Sequence, residues 1–524
     1  MSHSIFKTLI QTSSLKYADR PLLYDTLENR LLNYTECRTL INLVSKKLAL
    51  SGYTKGDIIL NFSPLSLESV ILCWACLLNG LIFVPVDHNW PSSLLKQILN
   101  ETSPKMVMTD QVRLSMVAPL ITSEIIVLSE LTEQTQIPTF YDWLEDLNNA
   151  NTNVIDEINP DDPAIILYTS GSTGTPKGVM LSQKALCNSG KLVSDHFDWQ
   201  CSDSFMNLGD LNSMSGLRNT CIAPLHSGSS MVIAQPDERN SVLHIIELIY
   251  KLQIQYIGVA PTVIRQMNII YSQARKDQIA SLKAILCTGG SLAKDQMQLF
   301  YTLYSKPIYN YYGLTETAGI CSGHNVSTFS PNDNSIGKPI GAEFIIIPDA
   351  SSKSTDIGEL LVKSNNLMLG YFKKEKETAE VLINGYFHTG DIAQRRIDGF
   401  YELLGRKKNT IKNIYSELIH LEEIDRALEA HHLIKEACSC NFASFIEDEK
   451  IIAFIVLEEY TKDEENIIIN DIRNHMLNLV GKNRTPWRYY IEKDLPRNTN
   501  GKIQRQKLEE KINEYIQSEH TRYY

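Results

Sequence analysis

Short apolar runs rich in β-branched residues recur through the first part of the chain, with stretches of helical spacing between them. The runs cover 57–61, 105–109, 124–128, 164–168, 230–234, 255–259 and 284–287, and amphipathic stretches such as 242–252 and 292–303 separate several of them. Strands that are apolar on both faces must be covered on both faces, so this alternation predicts an α/β fold: parallel sheets covered by helices. The most apolar stretch, 70–86, is interrupted by Asn79-Gly80 and by Pro85. It is too short to span a bilayer comfortably and predicts a buried helix running into a buried parallel strand. Cys73 and Cys76 lie within it, so their C-x-x-C spacing reads as packing rather than as a redox or metal pair.

At 524 residues the chain exceeds what one hydrophobic core usually supports. Its character changes after about residue 340, where 343–347 and 358–363 read as strands with tight turns, a β-rich subdomain over about 340–404. The polar run Gly405-Arg406-Lys407-Lys408-Asn409 marks a junction. Beyond it a helix (421–430), strands near Cys438 and at 451–457, and a helix (469–479) predict a small α+β domain. The expected division is therefore an N-terminal domain over 1–404 and a C-terminal domain over 405–524. A net charge of −11 argues against a general nucleic-acid surface. The first residues lack a signal-peptide pattern, and the cysteines are scattered, which predicts reduced thiols in a cytoplasm. No Cys/His spacing suggests a metal site.

The segment Tyr168-Thr-Ser-Gly-Ser-Thr-Gly-Thr-Pro-Lys-Gly178 carries the strongest chemical signal. It follows a predicted strand and precedes a helix-like stretch at 182–193. Gly171 and Gly174 let the backbone approach a ligand, and hydroxyls of Thr169, Ser170, Ser172, Thr173 and Thr175 can surround phosphate oxygens. Lys177 adds a positive charge. The spacing is not that of G-x-x-x-x-G-K-[ST], so a P-loop nucleotidase is a poor reading. A plain flexible surface loop is the alternative for the segment taken alone.

In this segment the chain resembles the acyl-adenylate-forming superfamily: acyl-CoA synthetases, adenylation domains of peptide synthetases, and luciferases. Later segments follow in the family's order, and the resemblance covers nearly the whole chain. Asn310-Tyr-Tyr-Gly-Leu-Thr-Glu316 resembles the adenine and magnesium motif, and the span from Gly358-Glu359-Leu360 to Gly370-Tyr371 its Gly-Glu-Leu segment. His388-Thr-Gly-Asp391 and Gly405-Arg406 resemble the ribose-binding pair, and Pro496-Arg-Asn-Thr-Asn-Gly-Lys502 the catalytic-lysine loop. Residues 79–91, with Phe83-Val84-Pro85-Val86-Asp87, are similar to an early structural motif.

The resemblance implies ATP and Mg²⁺, a carboxylic acid, and then a thiol acceptor, coenzyme A or the phosphopantetheine of a separate carrier protein. Tyr312 can stack on adenine, with Asn310 and Gly313 beside it, and Glu316 is a hard oxygen ligand suited to Mg²⁺. Thr315 can donate to the α-phosphate. Asp391 can accept from both ribose hydroxyls, and Arg406 can anchor ribose or phosphate. Lys502 offsets the charge that builds when two anions approach, and is the expected catalytic residue. The two half-reactions imply a C-terminal domain that turns about a hinge at Lys408, with Lys412 serving the second half.

Three departures narrow the reading. No glycine follows Lys412 in the run 413–420, where relatives carry the pantetheine-channel loop, so adenylation is on firmer ground than thioester formation. Met214-Ser215 stands where amino-acid activators hold an aspartate for the α-amine, although Asp210 lies nearby, and Leu314 replaces their usual proline. Both changes favour an acyl or aryl acid, since a buried ammonium needs a partner. No aromatic gate stands near Ser213, so Ser213, Ser215 and Gly289 mark the acid pocket without identifying its ligand. About sixteen residues follow Leu508, too few for a fused carrier domain. The alternatives are a stand-alone amino-acid–carrier-protein ligase, transfer to an amine or oxygen, and a degenerate nucleotide-binding protein without turnover.

Overall fold

The computed structural model describes residues 4–128, 137–145, 157–169, 176–290, 292–348, 354–412, 418–443, 449–458, 465–497 and 502–520. Contacts divide the chain into two compact units, one of residues 1–343 with 362–387, the other of 344–361 with 388–524. The β-rich stretch that the sequence attaches to the N-terminal part is thus shared between the units.

The first unit holds two sheets covered by helices. In one, Ile308–Tyr312, Ala284–Cys287, Tyr256–Val259, Ser204–Asn207, Ser230–Ile233 and Pro21–Asp25 run parallel, with antiparallel strands at both edges. In the other, Pro163–Thr169, Ile82–Pro85, Ile58–Phe62, Met106–Thr109 and Glu124–Val127 are parallel, and Lys177–Ser182 and Gly370–Tyr371 extend that sheet antiparallel. The expected α/β architecture is what forms.

The apolar stretch behaves as its composition requires. Ser66 and Ser69 close a capping box, the helix Leu67–Asn79 is buried along its whole length, and Gly80 ends it in the left-handed conformation at φ +66°. The parallel strand Ile82–Pro85 follows. Cys73 and Cys76 are both buried, and all ten cysteines are free. Among the described residues no helix is long and apolar enough to cross a membrane.

One local element differs from the sequence reading. The glycine-rich segment does not lead directly into the helix Gln183–His196; an antiparallel strand, Lys177–Ser182, intervenes. Val179 and Leu181 are buried on it, so a half-period of two, too short to read in sequence, is decided by pairing with Pro163–Thr169.

The strand Tyr386–Arg395, which enters the second unit at His388, forms an antiparallel hairpin with Tyr401–Arg406. Farther along, Ile434–Ala443 pairs antiparallel with Glu449–Leu457, and Arg488–Ile491 joins parallel to the latter. The helices Leu421–Glu429, Glu465–Val480 and Arg505–His520 belong to the same unit. Ile424, Leu428, Ile455 and Ile472 are among the residues that close one of its apolar clusters.

Candidate active site

Expected site residues fall into two groups, one in each unit, and Ser170, Gly171, Ser172, Thr173, Gly174 and Thr175 lie outside the described residues. Thr169 and Lys177, on either side of these residues, are register partners of antiparallel strands, and the Thr169 hydroxyl faces the Lys177 carbonyl at 3.5 Å. The Lys177 ammonium sits 4.9 Å from the centre of the Tyr371 ring. The Tyr371 hydroxyl in turn donates to Glu316 Oε1 at 2.9 Å. Lys177, Tyr371 and Glu316 therefore form one continuous group, although 139 positions separate Lys177 from Glu316. Tyr371 holds Glu316 directly, a role the sequence reading did not give it.

Glu316 is presented by a short turn at the end of Ile308–Tyr312. The 3₁₀ helix Thr315–Thr317 begins after Leu314, whose N–H donates to the Thr317 hydroxyl at 2.9 Å. Ala318 and Gly319 then take positive φ, +54° and +84°. Gly313 is required by its own chain: a Cβ there would stand 2.5 Å from backbone atoms of Gly319 and Ile320. Tyr312 is buried. Asn310 directs its amide to the carbonyls of Asn334 and Ser335, at 3.2 and 3.0 Å, so in this structure it braces a neighbouring loop.

Of the residues expected around the acid, two belong to the helix Met214–Cys221 and its cap. Ser213 is its N-cap, accepting from Gly216 at 3.1 Å and donating to the Asp210 carbonyl at 2.9 Å. Ser213 and Ser215 are half-buried. Gly289 takes φ +86° and faces open space. Asp210 is already engaged: Arg239 meets it at 2.7 Å and the Leu65 N–H at 3.1 Å.

The second unit gathers the other group. Asp391 and Arg406 are register partners on the two strands of the hairpin, with Arg406 Nε 2.7 Å from Asp391 Oδ1. A second guanidinium nitrogen donates to the Thr389 carbonyl at 3.0 Å. Gly390 precedes Asp391 at φ +68° with open space around it. Lys502 is exposed as a residue. Its ammonium nevertheless lies among enough protein atoms that desolvation, ahead of Arg406 and Lys408, draws its pKa below the ordinary lysine value, against Asp391 and Glu422. Its exposed surface moderates that pull.

Beneath this group lies an ion network absent from the sequence reading. Glu422 accepts from Arg505 at 2.9 Å and from Asn409, and faces the Arg406 N–H at 3.4 Å. Arg505 also binds Asp425, and its Nε donates to the Ser439 carbonyl at 2.7 Å. Lys408 stands near it, its pKa lowered by desolvation and then by Arg406. Lys412 ends the strand Thr410–Lys412. The only sequence sign of the network was charge in Leu421-Glu-Glu-Ile-Asp425 and near Arg505, which reads equally well as a solvated face.

Among the described residues no group of three or more His, Cys, Asp or Glu could hold an ion. Glu316 offers one carboxylate, as a cation carried chiefly by phosphates and water requires.

A family model described as AMP-binding enzyme matches residues 10–372. Over 510 residues the chain is 26% identical to the sulfoacetate–CoA ligase of Cupriavidus necator, covering 95% of this chain and 96% of that one. It is 28% identical to the L-proline–[L-prolyl-carrier protein] ligase of Pseudomonas fluorescens, with 96% and 97% covered. Among solved structures the fold is similar to the anthranilate CoA ligase AuaEII with anthranoyl-AMP, at TM-score 0.86, 20% identity and 96% of each chain. It is also similar to ATP-bound MatB from Rhodopseudomonas palustris, at TM-score 0.85, 21% identity, and 97% and 99% covered.

Proposed function

The chain belongs to the AMP-binding enzyme family, and from that premise we propose the residue roles by which it works. It is an AMP-forming acid–thiol ligase that uses ATP and a small carboxylic acid. In the first half-reaction a carboxylate oxygen attacks the α-phosphorus, and the bond to the departing pyrophosphate breaks. In the second, a thiol sulfur attacks the acyl carbon, AMP leaves, and a thioester remains.

In this reading the glycine-rich segment with Lys177 holds the triphosphate, and Tyr312 and Gly313 border adenine. Thr315 donates to the α-phosphate. Glu316, steadied by Tyr371, would hold Mg²⁺, which when bound offsets charge on the phosphates. Asp391 accepts from the ribose hydroxyls, and Arg406 anchors ribose or phosphate. Lys502 supplies the ammonium that counters two approaching anions. One observation carries most weight: Asp391, Arg406 and Lys502 share one electrostatic neighbourhood although 111 positions separate the first from the last. A lysine merely solvated on a loop would have no reason to stand by the expected ribose pair.

The reading includes a C-terminal domain over 405–524 that turns about Lys408 between the half-reactions, with Lys412 serving the second. The acceptor thiol is that of coenzyme A or of a separate carrier protein; both acceptors appear in the names of the relatives. An acid without an α-ammonium group is favoured, because Asp210 is already committed to Arg239. A cytoplasmic setting accords with ten free cysteines.

ATP–pyrophosphate exchange over a panel of simple and amino acids tests the reading. Exchange with a simple acid, lost by orders of magnitude in Lys502→Ala while ATP binding persists, is the expected result. Exchange with amino acids alone would overturn the acid assignment, and undiminished exchange in Lys502→Ala the role of the lysine.

A further inference from the structure

Arg218 is wholly shielded from solvent, and none of its described partners is a carboxylate. Its Nε donates to Asn219 Oδ1 at 2.9 Å, and its two terminal nitrogens face the Ala318 carbonyl and the Tyr311 hydroxyl, each at 3.3 Å. Two of these three contacts are longer than an ordinary N–H···O bond. Two other arginines are treated differently: the buried Arg239 meets Asp210, and the partly buried Arg505 meets Glu422 and Asp425. Burying a guanidinium without a counter-charge is costly, and a chain that twice supplies an acidic partner omits it here.

A second observation points to the same place. Among the described residues buried Asn219 Nδ2 has no hydrogen-bond partner, although its Oδ1 is held by Arg218. Most buried amide groups are satisfied, so this one marks a missing acceptor. Cation and unfilled donor thus sit side by side, and an anionic oxygen would complete both.

Their position connects them to the acid. Ser215 and Asn219 are four residues apart on the helix Met214–Cys221 and so share a face. Ser215 is half-buried and Asn219 closed from solvent. One helical turn rises about 5.4 Å, the length of roughly three methylene groups. Across from them runs the turn that follows Glu316: a Cβ on Gly319 would lie 2.8 Å from Arg218 Nη1.

We propose that Arg218 and Asn219 form the floor of the acid pocket and receive a second anionic group, carboxylate or sulfonate, at the far end of a short acid substrate. The proposal rests on the acid–thiol ligase reading and narrows it to dianionic acids.

Pyrophosphate exchange with succinate, glutarate and 3-sulfopropionate, each against butyrate and pentanoate, tests it. At least one dianion should exceed the monoanion of similar length by about a hundredfold in kcat/KM, since a site with unpaired buried donors rejects ligands that leave them so. The carboxylate and sulfonate arms identify the terminal group. Arg218→Gln should bring the ratio toward one, whereas a purely structural brace would lower both acid classes together. Asn219→Asp places the missing charge in the chain itself: it should also collapse the ratio, while raising the thermal midpoint. The favoured dianion, without ATP, should raise the midpoint of the wild type but not of Asn219→Asp. A wild-type ratio near one, or an unchanged ratio in both variants, overturns the proposal. Absence of exchange with every acid would instead sink the ligase reading, and this proposal with it.

Discussion

Replacing Arg505 by methionine should unfold the second unit early. Arg505 is the sole described cation bonded to both Glu422 and Asp425, at 2.9 Å to the first, and all three side chains are largely enclosed. Methionine keeps much of the volume and strands two carboxylates, a change that typically costs about 3–5 kcal/mol. For a unit of about 150 residues, at ~2–4 °C per kcal/mol, the midpoint should fall by about 10 °C. Burial, outweighing Arg505, pushes the Asp425 carboxyl up to about 7. A carboxyl whose folded pKa lies above its unfolded value stabilises the fold fully below the unfolded value, about 3.9. That contribution is lost as pH rises through about 7. Glu422, lowered by Arg505 and Asn409 against the pull of burial, acts only below its ordinary range. Between about pH 4 and 7 the unit should therefore lose stability, more steeply in Arg505→Met than in the wild type, and Asp425→Asn should flatten the slope. Calorimetry at several pH values reads both effects. The triple variant E422Q/D425N/R505M, which removes every stranded charge, should recover most of the loss. An unshifted midpoint in Arg505→Met, or a triple variant no better than the single, would refute the reasoning.

Tyr371→Phe keeps the ring under Lys177 but removes the hydrogen bond to Glu316; half-maximal Mg²⁺ for pyrophosphate exchange, and Mn²⁺ binding followed by paramagnetic resonance, should shift ~10-fold. Equal metal dependence in wild type and variant would show that the hydroxyl does not orient the carboxylate. Because the Lys502 pKa is lowered, by desolvation first and then by Arg406 and Lys408, the basic limb of the adenylation rate should fall below the usual lysine range. Lys502→Arg should abolish that limb, and a limb that survives belongs to another group. Gly313→Ala sets a methyl against the backbone of Gly319 and Ile320, where neither side is a flexible side chain; exchange should drop sharply with a loss of ~1–3 kcal/mol in urea unfolding. Wild-type behaviour in both measurements would show that the turn can open.

Much of this protein could be read from its residues in order. Apolar runs of strand length gave the parallel sheets because burial on both faces leaves no polar alternative, and the Asn79-Gly80 break placed the end of a helix whose cap required a positive φ. Lys177, Glu316, Asp391, Arg406 and Lys502 stood out in the sequence because each sits in a local pattern that only a few chemistries need. Tertiary structure alone decided which of them touch. Tyr371 reaches Glu316 only because Gly370–Tyr371 pairs with Lys177–Ser182, and Asp391 meets Arg406 through hairpin register. Arg218 looked like any polar residue on a helix until the fold enclosed it without an acidic partner. Local sequence fixes what a backbone segment prefers, whereas a charge acquires its energy from neighbours and dielectric, and both are set by chain segments hundreds of residues away.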